Sequence, residues 1–446
     1  MTIEQITLLM LSLLLLQLVA GIPFAVATGL TATVIAVINF GPQSLLIIAS
    51  RIFDISDNYP LLAVPMFIMM GNVLERSGVA EKLFTAMHVF TRGLPGGLAV
   101  STILAATVMA AMVGVVGAEV VMLGLVALPA MLKRGYHKKI ALGVIVAGGS
   151  LGTMMPPSLV LVIYGLIANV SISDLFLAAV FPALLLAGLY AGYVIVRCSL
   201  DPSLAPKGPI EQLGNSTDAL DSERGHEGAM GFRDRLVLFA PLLIIALVLG
   251  SLYAGVATPT EAASMGVLGA ILSAAMNRRL SSKALWEATQ QTGRALGPVV
   301  WIFFGANAMV NVYALAGGID FIKASFIALD LPPMVLLGAI MMFLFVLGCF
   351  IDWIGIAFLT MPVFVPLITD LGMSPIWFGV LFCMNMQVSY LSPPFGPACF
   401  YLKSVAPPDV SLADIFRSVG PFIVLQAIAI SLVMAFPQIS LWPLKG

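Results

Sequence analysis

Three carboxylates stand deep in apolar sequence: Glu119, Glu261 and Asp352. A carboxylate at the centre of a bilayer costs at least ~2.5 kcal/mol on insertion scales, so an acid placed there is expected either to serve a ligand or to be satisfied by neighbours. Glu119 and Asp352 each stand ten residues before a proline, Pro129 and Pro362, and so look like counterparts. Both suit coordination of a cation or ordering of a turn, and both also suit a cap on backbone amides. Glu261, within Thr258-Pro259-Thr260-Glu261, reads as a structural cap: proline at the first helical position and an acid close by both stabilise a helix start.

Two proline pairs, Pro156-Pro157 and Pro393-Pro394, interrupt otherwise apolar runs. Each pair removes two backbone donors and stops the helix, leaving carbonyls before it and amides after it without intrahelical partners. In hydrocarbon such groups are tolerated only where they line a cavity or meet a ligand. Half-helices beginning near Ser158 and Gly396 would aim amides, positive in sense, toward the midplane, while carbonyls around Gly152 to Met155 and Tyr390 to Ser392 would offer oxygen ligands. That arrangement suits an anionic substrate beside Na⁺. The candidate substrate-binding residues are therefore Thr153, Pro156, Pro157, Ser158, Ser392, Pro393, Pro394, Phe395 and Gly396, with Gly152, Thr153 and Ser392 as candidate Na⁺ ligands. One such break also fits an ordinary proline kink; two at matching places argue for a site.

The match is a repeat. Pro129, Gly135, Pro156, Pro157 and Tyr164 recur 237 residues later as Pro366, Gly372, Pro393, Pro394 and Tyr401. Just downstream, the run from Val170 to Phe176 returns as Val410 to Phe416, the offset having slipped to 240. The elements that position these residues follow from the apolar runs. The chain has 446 residues, 60% hydrophobic and 10% charged, and charge-free stretches such as 140–173 and 371–402 exceed the roughly 20 residues that span a bilayer. An all-α polytopic membrane protein is expected, made of two inverted-topology repeats, each with about five spans, one of them broken at Pro-Pro, and one re-entrant hairpin.

The first repeat covers 1–200: 6–40 breaks into two helices at Gly21-Ile22-Pro23, 42–58 connects, 60–74 spans, and an amphipathic segment runs to Arg92. Residues 97–132 form a hairpin with its tip at Gly114-Val115-Val116-Gly117-Ala118, because each arm is too short to cross twice. A broken helix occupies 140–169 and a last helix 175–196. A polar stretch, 201–235, is the predicted cytoplasmic linker. The second repeat, 236–446, has spans at 236–253 and 256–276, a connector at 281–294, a span at 295–315, a hairpin at 333–369, a broken helix at 376–402 and a closing helix at 415–436.

With the N-terminus outside, all but Arg51, Lys323 and Lys445 of the 21 basic residues fall inside, as the positive-inside tendency requires. The start Met1-Thr2-Ile3-Glu4 has no basic n-region, so the first apolar stretch is read as a retained span. A net charge of −1 offers no basic field to a nucleic acid. Cys198, Cys349, Cys383 and Cys399 lack metal-ligand spacing and read as small buried hydrophobes. All three histidines, His88, His137 and His226, fall in loop segments, which favours Na⁺ over H⁺ as coupling ion. Gly148-Gly149-Ser150-Leu151-Gly152 fits G-x-S-x-G, but without a preceding strand or an activating histidine it makes no nucleophile elbow. No phosphate-binding G-x-x-x-x-G-K-[ST] occurs either. An enzyme is not expected.

An ordered set of motifs resembles the large membrane subunit of the tripartite ATP-independent periplasmic (TRAP) transporters over nearly the whole chain: Gly21-Ile22-Pro23-Phe24-Ala25, Leu61-Leu62-Ala63-Val64-Pro65-Met66-Phe67, Leu94-Pro95-Gly96-Gly97-Leu98, Leu128-Pro129-Ala130-Met131 with Arg134-Gly135-Tyr136, Met155-Pro156-Pro157-Ser158 with Ile163-Tyr164-Gly165, Thr258-Pro259-Thr260-Glu261-Ala262-Ala263 and Ser392-Pro393-Pro394-Phe395-Gly396. The resemblance implies a Na⁺-driven elevator importer of organic acids in a bacterial inner membrane, working with a small four-helix membrane subunit and a periplasmic substrate-binding protein. It implies Na⁺ ligands at the two tips, Gly114, Gly117 and Glu119 in the first and Cys349 and Asp352 in the second. The family's first tip usually carries serines and an Asp, so here backbone carbonyls and Glu119 are expected to do more of the coordination. Two rivals share parts of the pattern: a self-sufficient Na⁺/dicarboxylate symporter, and a non-transporting membrane assembly subunit.

Overall fold

The computed structural model describes residues 1–56, 59–91, 93–114, 116–206, 232–328 and 330–445. Residues 207–231, the bulk of the expected linker, and Arg92 lie outside them. Among the described residues the chain is helical throughout, without strands.

The first half holds α1 (Ile3–Val19), α2 (Phe24–Phe40), α3 (Leu45–Ser56), α4 (Ala63–Arg76) and α5 (Val79–Thr91). It continues with the pair α6 (Gly97–Val113) and α7 (Val116–Lys133), then α8 (Lys138–Gly149), α9 (Leu159–Ala168) and α10 (Ile172–Leu200). The second half holds α11 (Phe232–Tyr253), α12 (Pro259–Met276), α13 (Ser282–Leu315) and α14 (Gly318–Ile327). The pair α15 (Pro333–Gly348) and α16 (Trp353–Asp370) follows, then α17 (Pro375–Leu391), α18 (Pro397–Val405), α19 (Leu412–Ala435) and a short α20 (Gln438–Leu441). The order from α6 to α10 thus returns from α15 to α19.

Local chemistry explains the ends. The repeated Val-Ser-x-x-Asp start places Ser171 and Ser411 as N-caps whose hydroxyls accept from the Asp174 and Asp414 amides at 3.2 and 3.1 Å. Glu261 and Thr258 make a reciprocal capping box at the start of α12, with the Thr258 amide donating to Glu261 Oε2 at 2.8 Å; such pairs satisfy two amides that a helix start leaves open. Gly135 and Gly372 turn the chain after α7 and α16 with φ of 76° and 74°, a conformation glycine adopts without steric cost.

Two expectations fail in detail: His88, expected in a loop, lies in α5 with its Nε2 2.8 Å from Arg134, and one helix boundary is absent. The segments 281–294 and 295–315 were expected as a connector and a separate span, but α13 runs through both with Pro298 inside it. In the first half the equivalent stretch is divided, α3 ending at Ser56 and a 3₁₀ turn, Tyr59–Leu62, preceding α4. Nothing between Ser282 and Leu296 breaks a helix, and a lone proline bends one without ending it when neighbours hold both sides.

Contacts between halves are reciprocal. Helix α2 packs on α13 and α12 on α4; α7 packs on α18 and α16 on α9; α8 packs on α19 and α17 on α10. Two copies of one unit make such exchanged contacts when a two-fold relates them. The first set is built on α1–α4 and α11–α13, the second on α6–α10 and α15–α19. Phe303 of α13 meets Phe358 of α16 between the sets, ring centres 4.4 Å apart. At one end of the second set Lys138 pairs with Asp409 at 2.5 Å. The hydrogen bond and charge of Lys138 hold the Asp409 carboxyl below its ordinary range, though both groups are exposed and such pairs add little stability.

Candidate functional site

Each proline pair ends one helix and starts another. Helix α8 stops at Gly149, a 3₁₀ turn covers Ser150–Thr153, the Pro156-Pro157 bond is cis, and α9 starts after Ser158. Helix α17 keeps its α geometry to Leu391, the Pro393-Pro394 bond is also cis, and α18 starts after Gly396. Gly396 has φ of 40°, and a Cβ there would lie 2.7 Å from the Phe416 ring, so both backbone and space require glycine.

The freed groups of the first break find partners within the protein. The Thr153 carbonyl accepts from the Ser158 hydroxyl and from the Cys383 thiol, the latter at 2.8 Å. Thr153 Oγ1 in turn donates to the Ser150 carbonyl at 3.0 Å. Gly152, Thr153, Pro156, Pro157 and Ser158 are all buried. In the second break Ser392 is buried and its hydroxyl turns back to the Val388 carbonyl, 2.8 Å away. Pro393, Pro394 and Phe395 are exposed, Phe395 at 52%.

The tips differ in the same sense. Glu119, in the first turn of α7, is fully buried, and neither carboxylate oxygen has a hydrogen-bond partner among the described residues. Asp352 is exposed and caps α16, its Oδ2 accepting from the Ile354 amide at 3.2 Å. It lines a small cavity with Gly348, Trp353, Ser389, Tyr390 and Phe395. Cys349 is buried at the end of α15.

Tips and breaks of both halves come together. A Cβ at Gly114 would lie 3.1 Å from the Pro157 carbonyl, and one at Gly117 3.1 Å from the ring of Tyr401 on α18. Tyr390 lies beside Asp352 and Tyr401. A path of neighbours therefore runs from the first tip through Tyr401 and Tyr390 to the second tip. Glu261 stands apart, at the start of α12 in the other set of helices.

Sequence reasoning named Tyr390 only for its backbone carbonyl and missed its side chain, Tyr401, Cys383 and the Ser150–Gln387 contact as members of this region. Tyr401 carried a signal as the repeat mate of Tyr164 in a half-helix, and Ser150 and Gln387 share the same spacing. Cys383 carried none, since a buried thiol has the look of a packing residue.

Comparison with known proteins agrees with this architecture. Residues 7–439 match the family model of the tripartite ATP-independent periplasmic transporter, DctM component. The chain is 29% identical over 412 residues to the C4-dicarboxylate TRAP transporter large permease protein DctM of Pseudomonas aeruginosa, covering 91% of each. It is 30% identical over 386 residues to the ectoine/5-hydroxyectoine TRAP transporter large permease protein UehC of Ruegeria pomeroyi, covering 86% of this chain and 85% of that one. Among solved structures, the Alcanivorax borkumensis YdaH transporter superposes with a TM-score of 0.62 at 16% identity, covering 91% of this chain and 90% of that one, a likeness of fold.

Proposed function

This chain belongs to the tripartite ATP-independent periplasmic transporters as a DctM component, and we propose that it is the large permease subunit of a secondary active, Na⁺-coupled importer of an organic acid. The observation that carries the reading is the meeting of two broken helices and two tips, one of each from either half, around Gly117, Tyr401, Tyr390 and Asp352. Half-helices that end at a shared centre present amides to an anion and carbonyls to a cation.

In this reading a substrate carboxylate meets the amides at the starts of α9 and α18, near Ser158 and Gly396. Na⁺, carried with the substrate, binds at the tips: Gly114, Gly117 and Glu119 with Gly152 in the first, Cys349, Asp352 and Ser392 in the second. The Thr153 carbonyl already accepts two donors, so it joins the first site only if the Ser158 hydroxyl swings away. The relative named for C4-dicarboxylates supports an organic acid, and the one named for ectoine argues that the fold alone does not choose the molecule. A periplasmic binding protein makes that choice, and a small four-helix membrane subunit completes the assembly.

The transport step is an elevator motion: α6–α10 with α15–α19 carry the site past α1–α5 with α11–α14. The Phe303–Phe358 contact between the sets is apolar, and the motion breaks the polar contacts that also cross between them, Ser173 Oγ to the Leu252 carbonyl, Lys323 to Asp370 and Arg134 to His88. The halves cross the bacterial inner membrane in opposite senses with the N-terminus periplasmic. Cysteines placed in the 133–139 loop label from the cytoplasm and those in the 370–374 loop from outside; labelling of both from one side rejects the inversion.

Proteoliposomes holding this chain and its small subunit, supplied with the loaded binding protein, test the function. Uptake is expected to require an inward Na⁺ gradient and to ignore a pH gradient of equal size. Uptake that persists without Na⁺ and collapses with a protonophore overturns the coupling. Uptake of free dicarboxylate without binding protein makes the chain a stand-alone symporter instead.

A further inference from the structure

Helix α17 buries four polar side chains, Cys383, Asn385, Gln387 and Ser389, in a charge-free stretch. They divide into two pairs at i and i+4 spacing, which share a face, and the pairs lie about 200° apart around the helix. The first pair reaches the first half: the Cys383 thiol donates to the Thr153 carbonyl (2.8 Å) and the Gln387 amide to the Ser150 hydroxyl (3.1 Å). The second pair faces the second tip's own arm, α15: Asn385 Nδ2 donates to the Met341 carbonyl (2.7 Å), and Ser389, whose hydroxyl donates back to the Asn385 carbonyl (3.1 Å), sets its Oγ 3.4 Å from the Phe345 carbonyl. Ser389 also lines the cavity that holds Asp352.

These bonds do more than fill space. Met341 and Phe345 lie within α15, whose carbonyls already accept along the helix, so no open acceptor required Asn385 or Ser389. Gln387 keeps its Oε1 without a partner among the described residues, a buried loss that an apolar side chain of the same size would avoid. Ser150 and Gln387 stand 237 positions apart, the spacing of the repeat itself. A contact between the same position of two copies falls on the two-fold relating them, so the link sits midway between the breaks.

We propose that Gln387 is a positioning residue that, with Cys383 on one face of α17 and Asn385 and Ser389 on the other, makes the shape of the first break depend on that of the second tip. Occupancy of one half-site then raises affinity at the other, so that cargo and coupling ion load together. The inference rests on the Na⁺-coupled reading above and concerns cooperativity, not the existence of coupling.

Uptake as a function of Na⁺ concentration in the reconstituted assembly is the test, with Gln387→Met, which keeps volume and removes the amide, and Ser150→Ala. The wild-type Hill coefficient is expected to approach two for two linked sites and to fall to about one in each variant, with maximal rate kept within about twofold. The double variant should be no worse than either single one, since both remove the same link. Ser150→Thr, which retains a hydroxyl, should restore the wild-type curve. A merely structural bond would lower yield or maximal rate and leave the Hill coefficient alone. An unchanged coefficient in either folded variant overturns the proposal, and Ser150→Ala decides alone if Gln387→Met does not assemble. A wild-type coefficient of one also overturns it while leaving Na⁺-driven uptake standing, whereas wild-type uptake indifferent to Na⁺ strikes the functional reading itself.

Discussion

Each half carries a tip and a proline break, yet those of the first are buried and those of the second exposed. Pro156, Pro157 and Glu119 are buried, while Pro393, Pro394, Phe395 and Asp352 are exposed. A broken helix must find partners for the groups it frees. The first finds them inside the protein, where Ser158 and Cys383 share the Thr153 carbonyl; the second turns its prolines and Phe395 outward. One motif therefore supplies a fixed wall in one place and an approachable rim in the other.

Accessibility should break or sharpen that contrast most sharply. The four native cysteines are buried, so a single introduced thiol can be read against a low background. Phe395→Cys is expected to react about a hundredfold faster with a polar thiol reagent than Ser158→Cys, because the buried position must wait for local opening that costs several kcal/mol. Equal labelling rates would remove the difference between the copies.

Shape comes next. Gly396→Val forces a branched side chain into a left-handed backbone and against Phe416, a strain of about 1–2 kcal/mol from the backbone alone. Uptake is expected to fall about tenfold or more while membrane insertion is kept. Unimpaired uptake would mean that the open break need not hold its present form.

The acids should fail in different ways. Asp352→Asn keeps an oxygen for the Ile354 amide and removes the charge facing the cavity, so the Na⁺ concentration for half-maximal uptake is expected to rise several-fold with the fold intact. Glu119→Gln instead introduces two N–H donors where neither carboxylate oxygen has a partner. Unmade amide donors cost about 1–3 kcal/mol, but the unpartnered buried carboxylate they replace costs more, so the thermal midpoint is expected to hold or rise, with the smaller change in Na⁺ affinity. The reverse ranking in Na⁺ titrations would exchange the roles assigned to the tips.

The smallest effect belongs outside the site. Thr258→Ala removes one side of the capping box at α12 and is expected to lower stability by about 1 kcal/mol, with Na⁺ affinity unchanged. A shift in Na⁺ dependence there would draw Glu261 into the site after all.

Much of this was legible beforehand because it is local. Prolines remove donors wherever they sit, so the breaks after Thr153 and Ser392 could be placed within a few residues. The Ser-x-x-Asp starts of α10 and α19 and the Thr258–Glu261 box follow from side chains that reach only one helical turn. The 237-residue spacing agrees with the return of the helix order α6–α10 as α15–α19, and the ordered motifs named the family that residues 7–439 match.

Burial and partnership were not legible, because they are sums over neighbours from the other half of the chain. Glu119 and Asp352 read as equivalents in sequence, but the repeat sets Glu119 against Ile356, and Glu119 is the fourth residue of α7 whereas Asp352 caps α16 from outside it, so they are not counterparts, and packing encloses one while the other lines a cavity. The Thr153 carbonyl looked open until the fold brought Cys383, 230 positions away, within 2.8 Å. Gln387 looked like one more polar residue in an apolar run until the two copies met at Ser150. Sequence set where each helix must stop, through sterics and missing donors within a turn or two; tertiary structure decided which freed groups are satisfied and which stay available, because that depends on what the opposite copy places beside them.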